Sequence, residues 1–202
     1  VNPERDVIKV GQKRIQSKSF KSIVYVVNKP KGFTCSNDDP HADRLIFELL
    51  EARHRSARLF CAGRLDVDSE GLVILTNDGK LAHRLTHPSQ QVRKKYQVEI
   101  NDPLESDAFR AMLEGFEDEG EFLRLDEIRS KSGNPVGSTK LEITMGHGKK
   151  REIRRCLHRF KYKVKKLRRV AIGGVRLGKL PLGTYRDLKE SEIDLLFPKQ
   201  IS

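Results

Sequence analysis

The run Leu72-Val73-Ile74-Leu75 constrains this chain more than any other stretch. Four consecutive apolar residues of strand length are entered directly from a polar cluster, Arg64, Asp66, Asp68, Ser69 and Glu70, placed around two glycines, Gly63 and Gly71. Such a run reads as a buried strand, so the polar residues stand at the lip of a core. Asp66 follows one apolar-rich segment and precedes another, which fixes its backbone on both sides, as an active-site residue requires. A distant arginine paired with it would keep the carboxylate ionised and therefore nucleophilic or basic. The plainer reading is a surface turn with ordinary salt bridges.

Around this strand, helical and strand patterns mix without a regular βαβ rhythm. The first segment, 1–20, contains a short alternating stretch about a turn at Gly11. Residues 23–29 read as a buried strand stopped by Pro30 and Gly32. Leu45, Ile46, Leu49 and Leu50 recur at helical spacing and predict an amphipathic helix. A short strand is expected at 59–62. Asn77 or Asp78 is positioned to cap a helix holding Leu81, Ala82 and Leu85. The spacing predicts strands at 94–100, 122–128 and 139–145, and a helix over 104–114 ending at Gly115. Ile153, Cys156, Leu157 and Phe160 form the apolar face of a late helix, and strand-like pieces follow over 165–188. The pattern implies an α+β protein with a mixed, largely antiparallel sheet flanked by helices.

The charge is lopsided. Forty Lys and Arg oppose 28 Asp and Glu, a net +12 over 202 residues. Between His147 and Arg169 there are 12 Lys or Arg and a single acidic residue, Glu152. This excess favours a polyanionic partner. No apolar run approaches transmembrane length, and the polar opening residues do not read as a signal peptide. Cys35, Cys61 and Cys156 lie far apart in sequence, with no pair at metal spacing. They imply a reducing compartment, with neither a disulfide framework nor a zinc site. The six histidines form no metal-binding motif.

Gly63-Arg64-Leu65-Asp66, then Ser69, Gly71 and Leu72 to Asn77, resembles the signature of the ribosomal RNA pseudouridine synthases that act on single uridines. Other segments resemble that family in the same order: Asn28-Lys29-Pro30 with Gly32, Lys95-Tyr96-Gln97-Val98, Gly148 to Arg155, Leu167 to Ile172, and Gly183 to Leu188. The resemblance spans about 23–198. Glu152 and Cys156 depart from it, standing where many members carry glutamine and methionine. Residues 3–15 resemble the tail of a small RNA-binding domain that precedes many members, so 1–20 are expected to be its remnant. The catalytic domain is expected over 21–202, with subdomains of about 21–87 and 88–202 flanking a central cleft.

The resemblance implies isomerisation of a uridine to pseudouridine in ribosomal RNA, without metal or other cofactor. It makes Asp66 the nucleophile, Arg154 its ion-pair partner, and Tyr96 the ring that stacks on the uracil. A phenol with an ordinary pKa of about 10 is a poor base, so stacking is the main role expected of Tyr96. Leu167 is expected to line the base pocket, and Arg64, Lys95, Lys149, Lys150, Arg151 and Arg155 to contact RNA. Gly63, Ser69 and Gly71 are expected to shape the turn, and Lys29, Lys31 and Lys94 to widen the basic surface. Attack at C1′, a glycal route and addition at C6 all remain open. The partner is expected to be ribosomal RNA or a ribosomal subunit precursor, with no membrane, the chain is expected to be a monomer, and the expected location is a bacterial cytoplasm or an organelle. The alternative is a non-catalytic RNA-binding or ribosome-assembly protein. Phosphate binding alone needs none of Asp66, Tyr96 and Arg154 in particular.

Overall fold

The computed structural model describes residues 8–10, 13–15, 22–55 and 57–197. Strands β1 (Ile8–Val10) and β2 (Lys13–Ile15) pair antiparallel as a separate ribbon. Gly11 and the rest of the expected N-terminal remnant lie outside the described residues. All other long strands belong to one mixed sheet, so the fold is α+β. In chain order these are β3 (Val24–Lys29), β4 (Phe60–Ala62), β5 (Glu70–Thr76), β6 (Lys94–Ile100), β9 (Glu127–Arg129), β10 (Lys140–Met145), β11 (Val164–Ile172), β12 (Val175–Arg176) and β13 (Tyr185–Asp187). A small hairpin, β7 (Phe116–Asp118) with β8 (Glu121–Leu123), stands outside it.

The sheet order is β13-β3-β5-β11-β6-β10-β9, with β4 on β5 and β12 on β11. Its pairings are antiparallel except one: β5 meets β11 in parallel, through Glu70 opposite Arg168 and Gly71 opposite Arg169. The far end of the same edge of β5 pairs with β4 instead. The polar turn 63–69 therefore occupies the fork where β4 departs and β11 takes over. Gly71 lets that fork close. Its φ is +112°, and a Cβ there would lie 2.2 Å from the Arg169 carbonyl oxygen, a position only glycine tolerates.

Two cores explain the two kinds of strand. Tyr25, Val27, Val73 and Leu75 face one, together with Tyr96, Val98, Ile100 and Leu167. Val24, Val26, Leu72 and Ile74 face the other. Because β5 is covered on both sides it is buried at every position, which is why its sequence is continuously apolar. By contrast β6 buries only Tyr96, Val98 and Ile100 and alternates. Helices α3 (Ser106–Glu114) and α4 (Glu152–Arg159) supply Ala108, Met112, Ile153, Cys156 and Leu157 to the first core. Helix α2 (Gly79–Thr86) supplies Leu81 and Leu85 to the second. Its cap is Asp78, whose Oδ1 accepts from the backbone N–H groups of Lys80 and Leu81.

Two expectations fail. The helix expected around 45–50 is instead a 3-10 turn, Ile46–Leu49, followed by the short α1 (Ala52–Arg55). Leu45 is extended and bridges Thr34, so the first turn of a longer helix cannot form. Ile46 and Leu50 are still buried, which is what the spacing recorded. The expected strand 122–128 is broken into β8 and β9, and β7 was not anticipated. A short α5 (Glu190–Ile193) and the turn Asp194–Leu196 bring Leu196 under the second core.

Candidate active site

The turn 63–69 is held through its carbonyl groups by two buried cations. Lys29, fully buried, donates from Nζ to the carbonyls of Ser69 (2.7 Å), Asp66 (3.1 Å) and Pro30 (3.1 Å). Arg169, also buried, donates to the carbonyls of Leu72 (2.7 Å), Gly63 (2.7 Å) and Arg64 (3.3 Å). The Val67 carbonyl accepts from the Gly32 N–H at 2.8 Å. Buried cations are retained only where such partners satisfy them. Burial pushes the Lys29 ammonium down from the usual lysine range, while Cys35, Asp66 and Asp68 pull it back up.

With the backbone so fixed, the carboxylates of Asp66 and Asp68 meet the arginines of α4. Arg151 forms a bidentate fork with Asp68, at 3.1 and 2.9 Å, and its Nη1 lies 3.8 Å from Asp66 Oδ2. Burial pushes the Asp68 carboxyl up, but Arg151 and Arg154 outweigh this and leave it below its ordinary value. The expected direct pairing of Arg154 with Asp66 is not what the side chains adopt. Arg154 Nη2 donates to the Asp68 carbonyl at 3.1 Å and to Ser69 Oγ at 3.2 Å. Its Nε lies 3.4 Å from Asp68 Oδ2. That approach is an ion pair by distance only, since no hydrogen bond reaches the buried Nε. Asp68 thus takes the near fork and Asp66 keeps a freer carboxylate, its side chain 36% exposed.

Arg151 is also the N-cap of α4 and holds a left-handed backbone, φ 53° and ψ 26°. Non-glycine residues there are strained, a condition that concentrates at functional sites. The loop before it is fixed by the buried Glu152, which accepts from the Lys149 N–H at 2.8 Å. Glu152 also lies 3.0 Å from His147 Nδ1, while His147 Nε2 lies 3.2 Å from Asp126. Glu152, set aside as a mere departure from the motif, therefore positions α4.

Tyr96 is buried on β6 directly opposite Arg169 on β11, and shares its core with Leu65 and Leu167. Tyr96, Leu167 and the Asp66 turn thus meet through Arg169 and Leu65. A surface cavity lined by Leu45, Phe47, Arg55, Arg58 and Phe60 does not include Asp66. No group of three or more His, Cys, Asp or Glu side chains suited to a metal ion occurs among the described residues.

The basic surface is smaller than the charge count suggests. Arg64, Lys95 and Lys150 are exposed and, among the described residues, make no side-chain hydrogen bond or ion pair. Arg155 is instead clasped by the acidic β7–β8 hairpin, donating to Asp118 Oδ2 and the Asp118 carbonyl, both at 2.7 Å, and to Glu121. Lys149 donates to the Phe122 carbonyl of the same hairpin. Lys29 and Lys94 do not widen the surface either. Lys94 donates to the Val92 carbonyl at 3.1 Å, and burial, aided by Arg169, pushes its ammonium down to about 8.

Residues 23–159 match the family model described as RNA pseudouridylate synthase. The chain belongs to that family. An "uncharacterized RNA pseudouridine synthase" of Aquifex aeolicus is 37% identical over 198 residues, spanning 98% of this chain and 78% of its own length. The "putative ribosomal large subunit pseudouridine synthase SVR1, chloroplastic" of Arabidopsis thaliana is 33% identical over 97% of this chain and 50% of its own. A crystal structure of a pseudouridylate synthase shares the fold with a TM-score of 0.78 at 32% identity, covering 97% of this chain and 82% of that one. The protein is an RNA pseudouridine synthase, an enzyme of this fold.

Two residues that hold the Asp66 turn were not legible in the sequence as such. Lys29 was assigned to the surface and Arg169 was counted within a basic run, yet both grip the Asp66 turn. The one available signal was local: Lys29 ends a strand whose neighbours are all apolar or Asn.

Proposed function

We propose that this synthase isomerises a uridine of ribosomal RNA, with Asp66 as the residue that acts on the ribose or base. The observation that carries this is the Asp66 turn. Its backbone is clamped by Lys29 and Arg169, while its carboxylate remains accessible beside the Arg151 and Arg154 pair. Effort spent on fixing a backbone while leaving one carboxylate reachable suits catalysis better than structural salt bridging. The reaction breaks the N1–C1′ bond of uridine, turns the uracil and forms C5–C1′; the C5 proton leaves and N1 gains one, so atoms balance without a co-reactant.

Tyr96 and Leu167 form the apolar floor against which the uracil lies. To reach it the nucleotide leaves its stack, at a cost of a few kcal/mol. Arg64, Lys95 and Lys150 offset part of that through phosphate contacts. Ribosomal RNA is favoured as substrate by the +12 net charge and by the description of the Arabidopsis relative. We take the enzyme to act as a monomer.

The test is a pseudouridine map of ribosomal RNA from cells carrying wild-type protein or Asp66→Asn at matched level. Loss of one modified site with the variant is expected, together with a fall of at least about 10³-fold in conversion by the purified protein. Full conversion by Asp66→Asn would sink the assignment.

A further inference from the structure

The arginine that forks Asp68 ends a loop, and two carboxylates joined by one histidine anchor that loop. At its start the Gly146 N–H donates to Asp126 Oδ2 at 2.7 Å. Further on, the Lys149 N–H donates to Glu152 Oε2 at 2.8 Å. His147 lies between the anchors, with Nε2 3.2 Å from Asp126 Oδ1 and Nδ1 3.0 Å from Glu152 Oε2. Two residues after Lys149, Arg151 takes its left-handed backbone and reaches Asp68 and Asp66.

An ionised carboxylate only accepts hydrogen bonds, and a neutral imidazole carries one N–H. A neutral His147 therefore serves one carboxylate and turns a lone pair to the other. A ring protonated on both nitrogens serves both. The burial of Glu152 favours the second state. Its side chain is 2% exposed and Oε1 has no hydrogen-bond partner. A buried carboxylate calls for a cation, and among the described residues His147 is its one ion-pair partner. The neighbouring cations are engaged elsewhere. Lys149 Nζ donates to the Phe122 carbonyl, Arg151 to Asp68, and Arg155 to the β7–β8 hairpin. Arg124 Nη2 stands 3.6 Å from Asp126 Oδ1 and shares that carboxylate with the ring. Cys156, one turn along α4, faces Glu152 as a thiol, since burial and then Glu152 push it up to about 12.

We propose that His147 is a positioning residue: its doubly protonated ring ties Asp126 to Glu152, locks the 146–151 loop, and so holds Arg151 against the two aspartates of the turn. The effect on turnover rests on the synthase reading above; the protonated tie does not. The hold is complete while the ring carries both protons. As pH rises and one is lost, one anchor of the loop loses its donor and Glu152 loses its counter-charge. Arg151, whose strained backbone depends on its surroundings, is then less firmly presented to Asp68 and Asp66, and pseudouridine formation slows.

The test follows the His147 ring of the full chain by nitrogen NMR over about pH 5 to 8, the interval in which imidazoles titrate. Turnover is read in parallel by tritium release from RNA labelled at uridine C5. His147→Gln identifies the ring signals by removing them. Both ring nitrogens are expected to show the protonated signature at the acid end, and turnover to fall by about tenfold as that signature is lost. His147→Gln, which cannot carry the charge, should turn over slowly and without that fall. Glu152→Gln nearly keeps the shape and removes one of the two charges that favour the protonated ring. It should move the ring titration and the fall in turnover together to lower pH, which a merely structural role would not do, and it decides the matter if His147→Gln fails to fold. A ring neutral throughout the interval overturns the proposal. So does a fall in turnover that stays in place in both variants. Absence of turnover in every form, wild type included, tells against the synthase reading, and the ring signals still decide the protonated tie.

Discussion

Gly71 shows at single-residue scale how tightly the Asp66 turn is specified. No side chain fits between it and the Arg169 carbonyl. Gly71→Ala should destabilise the protein by about 3 kcal/mol or more, from the strained backbone together with the steric overlap. Urea unfolding of the variant reads this directly, and a change under 1 kcal/mol, roughly the level of an ordinary surface substitution, would mean that the β5–β11 junction is looser than described. Asp66 and Gly71 were both legible in the sequence, because turn, motif and strand are contiguous. Lys29 and Arg169 were not. A charged residue is by default a surface residue, and the carbonyls that Arg169 satisfies lie 97 to 106 positions upstream. The Arg154 partnership was half legible. It does reach the aspartate-bearing turn, but Asp68 and Ser69, one helical fork away from Asp66, receive its hydrogen bonds and close approach.

At the scale of elements, β6 carries both the buried Tyr96 and the half-buried Lys94. The Lys94 ammonium loses its proton near about 8 in the folded protein, whereas in an unfolded chain a lysine does so near about 10.4. Between these values the unfolded state binds the extra proton, so folding stability rises with pH. Lys94→Met should flatten that rise when urea midpoints are compared across the interval. An unchanged slope would locate the linkage in another group. Elements with a clean period, such as β6, β10 and α4, were readable from sequence, because one face is buried and the other wet. The segment 45–50 was not. Its spacing fits an α-helix and a 3-10 turn equally, and the choice falls to the distant bridge between Leu45 and Thr34. The β7–β8 hairpin was not legible, because the partner of its acidic residues is the distant Arg155 on α4.

Over the whole molecule, the net charge of +12 overstates what RNA meets, since internal partners take up Lys29, Arg169, Arg155 and Arg151. RNA affinity should fall as salt rises, and Lys150→Gln should reduce the slope of log affinity against log salt by about 0.7, one single-strand phosphate contact. Arg155→Gln should leave that slope unchanged, because Asp118 and Glu121 already hold the guanidinium. Equal effects of the two substitutions in a filter-binding salt titration would return Arg155 to the RNA surface.

The parallel seam between β5 and β11 carries one more consequence, this time for the order in which the protein becomes competent. A ribosome making this chain has finished the aspartate, its turn and the following strand long before Arg169 is added. Until then the Gly63 and Leu72 carbonyls lack the guanidinium that secures them, and the Glu70–Gly71 end of β5 lacks its parallel neighbour β11. The hold on the Asp66 turn is thus completed only after Arg169 has been made. A chain stopped short of Arg169 holds the aspartate but not the guanidinium that fixes its turn.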